Sequence, residues 1–166
     1  EVSVISKTKP GYGYFGQDKG LKMLKNIFQY LLFKEGPAAT IGCDGCTFLN
    51  PDKTIKDYSE EPSIKLYCVP KVQLDKNVKD IGQFDGITLN SVLIRPKSRG
   101  EIKLKSSDPN DMPLLNPNYL SHDDDKRLQI SAFKYSREIL NSKPLNEIII
   151  NEIFPGESIK TDEDIL

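Results

Sequence analysis

Few side chains in this sequence combine into a reactive set. Cys43-Asp44-Gly45-Cys46 has the CxxC spacing of a redox pair or of half a zinc site. Zinc needs two further ligands, and the chain offers only Cys68 and its one histidine, His122. A strand over residues 39–49 would also send positions 43 and 46 to opposite sides. Three cysteines, an odd number, do not make a disulfide framework. Metal and redox chemistry are therefore not expected, and buried or half-buried thiols are. With one histidine no Ser/His/Asp set can be assembled, and His122 reads as a solvated loop residue.

Gly11-Tyr12-Gly13-Tyr14-Phe15-Gly16 is formally GxGxxG, the turn that cradles a pyrophosphate when it joins a strand to a helix. Here residues 7–10 separate it from the preceding strand, tyrosines fill the intervening positions, and the helix starts only near Asp18. A glycine-aromatic loop is the better reading. Asp123-Asp124-Asp125 could suggest a metal site, but three consecutive carboxylates splay around a helix axis. At a helix start they complement the dipole, with Ser121 as the expected N-cap.

The elements that must hold these residues follow from periodicity. Val2, Val4 and Ser6 alternate with Ser3 and Ile5 in a first strand, and Ile64, Leu66 and Cys68 alternate with Lys65, Tyr67 and Val69 in another. Residues 39–49 read as a strand interrupted by Gly42 and Gly45. Residues 18–34 carry Leu21, Leu24, Ile27, Phe28, Leu31 and Leu32 on one helical stripe, expected to pack in the core, and Gly36-Pro37 stops them. A second helix places Leu128, Ala132, Tyr135 and Ile139 on one face and ends at Pro144. Residues 148–150 read as a short strand, and Thr161 as the cap of a further helix start.

The most informative stretch is 86–120. Ile87, Leu89, Ser91 and Leu93 alternate with Thr88, Asn90, Val92 and Ile94. Residues 95–100 break the pattern, and Ile102 and Leu104 then point to one side while Glu101, Lys103 and Lys105 point to the other. An antiparallel hairpin is expected, with Ile102 and Leu104 inward. The prolines at 109, 113 and 117 keep the following run extended.

At 166 residues the chain is long enough for one domain with a core of its own, read as spanning residues 1–166. A formal net charge of −1 with mixed signs gives no electrostatic pointer to nucleic acid or anionic membranes. No apolar run approaches the ~20 residues of a membrane span. No leader segment is legible, and a cytoplasmic location is the expectation. The first residues alternate as a strand and the last begin a helix, so both ends read as cut through continuing structure.

The run RPKSRGEIKLKSSDPNDMPLLNPNYLS at 95–121, with its acidic helix start, resembles the glucose–methanol–choline (GMC) family of flavin-dependent alcohol oxidoreductases. QYLLFKEGPAAT at 29–40 extends the likeness backwards, and more weakly it reaches the N-terminus. The resemblance implies the substrate-binding domain of such an enzyme, as a fragment of a larger flavoenzyme. It also implies FAD bound mainly by a domain absent here, a small-molecule alcohol substrate, and the FAD-binding domain as partner. Family chemistry moves hydride from an alcohol carbon to flavin, assisted by a histidine that would follow Leu166. No catalytic, cofactor-binding or metal residue is therefore assigned within the chain, which is expected to be inactive alone.

Two positions are carried over as substrate-binding candidates. Asp44 matches a frequently acidic position and would hold a cationic or hydroxyl-bearing substrate, or else is a turn carboxylate. Tyr67 matches a position held by histidine or an aromatic; its hydroxyl would meet a polar substrate group, or its ring would pack in the core. Arg95 and Arg99 are expected to brace the hairpin or the flavin domain. The expected fold is α+β, an antiparallel sheet of five to six strands with two main helices packed on one face. Tyr67 is expected opposite the second helix, inside an exposed apolar patch. The alternative is a non-catalytic, stand-alone binding module on the same scaffold.

Overall fold

A computed structural model describes all residues except 1, 44, 56–60 and 75–79. Strand β1 (Val2–Thr8), β2 (Gly45–Leu49), β3 (Ile64–Val69), β4 (Gly86–Leu93) and β7 (Ile149–Phe154) form one antiparallel sheet in the order β2-β3-β4-β1-β7. A separate ribbon pairs β5 (Glu101–Lys103) with β6 (Leu114–Asn116). The helices are α1 (Gly20–Phe33), α2 (Asp123–Asn141) and the short α3 (Asp162–Ile165). The class is α+β, with five strands in the main sheet and two main helices.

Strand alternation sets the core. Val4, Ile87 and Leu89 lie under Phe133 and Leu140 of α2, and Ile64 and Leu66 lie under Leu128 and Ala132. Cys68 is half-buried against the same layer. Helix α2 thus covers the middle of the sheet with the stripe the sequence predicts, save that Tyr135 turns partly to solvent and Phe133 takes a central place. Its N-cap is His122 rather than Ser121: the ring Nδ1 accepts from the Asp124 amide at 3.1 Å. Thr161 caps α3 through a complete capping box, as its sequence indicates.

Helix α1 behaves differently. It ends with Lys34 in the left-handed region (φ 58°), its N–H donating to Tyr30 O. Its one buried residue is Asn26, which donates to Gln17. The stripe expected in the core is open instead, with Leu21 at 85% and Leu32 at 71% exposure. Packing on one face of the sheet therefore describes α2, while the apolar side of α1 lacks a cover among the described residues.

The expected hairpin between β4 and the following strand does not form. β4 is an inner strand between β3 and β1, and β5 leaves the sheet to pair with β6. Ile102 (75%) and Leu104 (85%) face solvent, not the core. Asp125, at the start of α2, explains the departure: its carboxylate accepts from the amides of Lys97 (2.8 Å) and Ser98 (2.7 Å) and from the Ser98 hydroxyl. Those amides are spent on the helix, so the chain is led away from the sheet edge at the point where a hairpin would turn. Gly100 then fits where a side chain would not, since a Cβ there would meet Asn116 O and lie 2.6 Å from Pro117 O. The strand expected over 39–49 begins only at Gly45, after a 3-10 turn at Pro37–Ala39.

Candidate functional site

The sheet has two unlike faces. Val2, Val4, Leu66, Leu89 and Ser91 belong to the α2 side, so their neighbours in each strand belong to the far side. Across four strands the pairing registers place Cys46, Tyr67, Asn90 and Ser3 side by side in one row on that far face. The next row toward one end is Phe48, Lys65 and Val92; toward the other, Val69, Thr88 and Ile5. At a strand spacing of about 4.8 Å the four-residue row spans roughly 14 Å, the reach of a small organic molecule.

Tyr67 is half-buried, opposite α2 as the alternation predicts. The Lys65 ammonium stands 5.4 Å from the centre of its ring. Asn90 is 2% exposed, and its Oδ1 accepts from the Ser3 hydroxyl at 2.5 Å. Its Nδ2 is buried without a hydrogen-bond partner. Sequence reasoning passed over Asn90. The available signal was an asparagine in mid-strand, a type depleted there for want of apolar packing. The far face is not the apolar patch expected around Tyr67, because thiol, phenol, amide and hydroxyl line up along its central row. The large exposed apolar side chains lie mainly on α1 and in the segment 102–119.

The far face is closed at one end by residues 70–74. The Thr88 hydroxyl donates to Lys71 O (2.7 Å) and accepts from the Gln73 amide (2.9 Å). The glycine-aromatic loop packs behind it. Tyr14 N–H donates to Pro70 O at 2.7 Å, and Thr8 donates to Tyr12 O at 2.8 Å. A Cβ on Gly13 would come within 3.1 Å of Pro70 O, so this glycine admits the chain's own backbone. At Gly11 and Gly16 a Cβ would meet nothing within 4 Å. A pyrophosphate cradle needs amides converging on a gap at a helix N-terminus, and this loop lies close on residues 70 and 86 instead. The loop therefore lacks the form of a pyrophosphate cradle. A cleft of about 490 Å³ does open beside the loop, between Phe15, Lys19, Lys71 and Phe84.

Of the other positions singled out in the sequence, Asp44 lies outside the described residues. Cys43 is half-buried in coil, Cys46 is exposed rather than buried, and both thiols are free. No cluster of three metal-ligating side chains occurs among the described residues. Arg95 braces the end of β4 by donating to Pro62 O (3.1 Å) and Glu61 O (2.7 Å) and pairing with the Glu61 carboxylate. Arg99 donates to Pro96 O and Ser98 O within its own turn. Asp125 is fully buried; burial pushes its carboxyl up, but the Ser98 hydroxyl and the amides of Lys97 and Ser98 outweigh this and hold it below the usual range. No helix among the described residues is long and apolar enough to cross a membrane.

Residues 96–165 match the model of the GMC oxidoreductase family, in its C-terminal part. The fatty acid photodecarboxylase of the Chlamydomonas reinhardtii chloroplast is 34% identical, over 99% of this chain and 28% of its own length. The oxygen-dependent choline dehydrogenase of Staphylococcus xylosus is 33% identical over 88% of this chain and 25% of its own. The alcohol dehydrogenase (acceptor) of Pseudomonas putida is 29% identical over 97% and 28%. The chain thus spans about a quarter of the length of these relatives. Among solved structures, a formate oxidase superposes with a TM-score of 0.78 at 21% identity, over 99% of this chain and 33% of that one, a likeness of fold.

Proposed function

Taking as premise that this chain belongs to the GMC oxidoreductase family, we propose that it is the substrate-binding portion of an FAD-dependent alcohol dehydrogenase or oxidase. The observation that carries the reading is the polar row on the far face. Tyr67 presents its ring and hydroxyl on a rigid inner strand, braced by β2 and β4, on the side that α2 leaves free. A wall of this kind selects an alcohol by shape and by a few placed polar groups, while hydride transfer is carried by flavin bound elsewhere. Asp44 enters the proposal from the sequence alone, as a second contact to a hydroxyl-bearing or cationic substrate.

FAD binding falls to another part of the parent protein, since the glycine loop here packs on residues 70 and 86 and does not join a strand to a helix N-terminus as a pyrophosphate cradle does. The open apolar sides of α1 and of the segment 102–119 support the same division, as surfaces that the FAD-binding domain would cover. The chain alone is then neither a flavoprotein nor an alcohol oxidoreductase.

The test is kinetic and uses the intact flavoenzyme. Tyr67→Phe and Tyr67→Ala should reorder kcat/KM across a panel of small alcohols, by about tenfold between the best and worst affected, with FAD content unchanged. An unchanged ranking would remove Tyr67 from the wall. The rival reading, a stand-alone binding module, is separated by the parent reading frame: the enzyme requires a strand-turn-helix GxGxxG before this segment and a histidine-bearing segment after it.

A further inference from the structure

We propose that Asn90 is a substrate-binding residue whose side-chain amide donates to an acceptor oxygen of the ligand, an anionic carboxylate oxygen for preference. The proposal rests on the reading of the far face as the substrate wall and names the chemistry that wall selects.

The argument starts from an imbalance. Asn90 sits on inner strand β4 with its oxygen satisfied by Ser3 and its nitrogen, two donors, buried without a partner. A buried donor left unpaired is costly, and an apolar residue of similar size would remove the cost. Ser63 Oγ is also without a partner, but it lies just before β3, two rows away from Tyr67 and Asn90, where its backbone pairs with Leu49 and Ile94. Asn90 instead lies next to Tyr67 in the row, directly across the pairing of β3 and β4. Tyr67 is only half-buried, so the row is open to solvent beside the amide.

The surrounding charges fix the class of ligand. On the far face, β1 to β4 contribute Ser3, Ile5, Lys7, Cys46, Phe48, Lys65, Tyr67, Val69, Thr88, Asn90 and Val92 among the described residues, and none of these is a carboxylate; Asp44, just before β2, lies outside the described residues. The Lys65 ammonium stands over the Tyr67 ring beside the row. Amide donor, phenol and ammonium together favour an acceptor oxygen, and an anion most, because bonds to charged acceptors are the stronger ones. A quaternary ammonium group has no acceptor for that amide and would be held by the Tyr67 ring or by Asp44 instead.

Three probes on one hexyl chain isolate the chemistry: hexanoate, hexan-1-ol and hexyltrimethylammonium, titrated into the isotope-labelled 166-residue chain and followed by NMR. Hexanoate should shift the Asn90 side-chain amide and the Tyr67 ring together and saturably, hexan-1-ol more weakly, and the ammonium compound least. Asn90→Leu should leave the thermal midpoint near that of the parent chain while weakening hexanoate binding about tenfold or more. Movement of Tyr67 without Asn90 would overturn the inference and leave the wall standing. Movement of neither would sink both. A midpoint lowered by about 8 °C or more in Asn90→Leu would mean that the amide serves the fold instead, and preference for the ammonium probe would refute the ligand class.

Discussion

Asp125 shows how much one side chain directs here. Buried at the first turn of α2, it takes three hydrogen bonds from Lys97 and Ser98 and so ties the segment after β4 to the helix. Because its carboxyl is held below the ordinary value, the stabilisation is present above the unfolded pKa of about 3.9 and is lost as pH falls through the lower folded value. Acid unfolding followed by circular dichroism should show that loss below about pH 4. Asp125→Ala should flatten it and cost roughly 1.5–3 kcal/mol or more at neutral pH, since two amides lose a charged acceptor. Equal acid sensitivity in the variant would contradict the role. At this scale the sequence was readable where neighbours decide: the acids do begin a helix, and Tyr67 does lie opposite Leu66 and Cys68. It was unreadable where the partner is remote. Nothing near Asp125 announces Ser98, 27 residues earlier, and nothing near Asn90 announces Ser3.

The two main helices make a contrast at the scale of elements. Both carry apolar stripes of helical period, yet α2 is sealed on the sheet and α1 is open. Periodicity states which side of a helix seeks cover, not whether the cover lies in the same chain. Leu128→Ala, at 0% exposure, should therefore cost about 2–5 kcal/mol in chemical denaturation. Leu32→Gln, on the open side of α1, should stay within about 0.5 kcal/mol in this chain while weakening assembly with the rest of the flavoenzyme. Comparable losses from both substitutions would show that α1 is docked after all. The misread hairpin has the same origin. The alternation in β4 and β5 and the turn between them are real, but Asp125 diverts the turn and β6 supplies the pairing.

For the whole molecule, the family and fold class were legible because the segment 95–121 is distinctive in residue order, and an alternation with few charges on either side of several strands implies a sheet with two covered faces. How the far face is covered was not legible, since nothing near Thr88 in the sequence announces that residues 71 and 73 close over it. The purified chain should be colourless, and near-stoichiometric flavin absorbance would overturn the division of labour between this chain and the FAD-binding domain. The central claim, that the far face looks onto the alcohol, is tested most directly by the structure of the intact flavoenzyme with a substrate analogue bound. The account predicts the analogue within about 4.5 Å of the Tyr67 side chain, with α2 on the opposite side of the sheet. An analogue bound over α2, with the Tyr67 row facing bulk solvent, would contradict it.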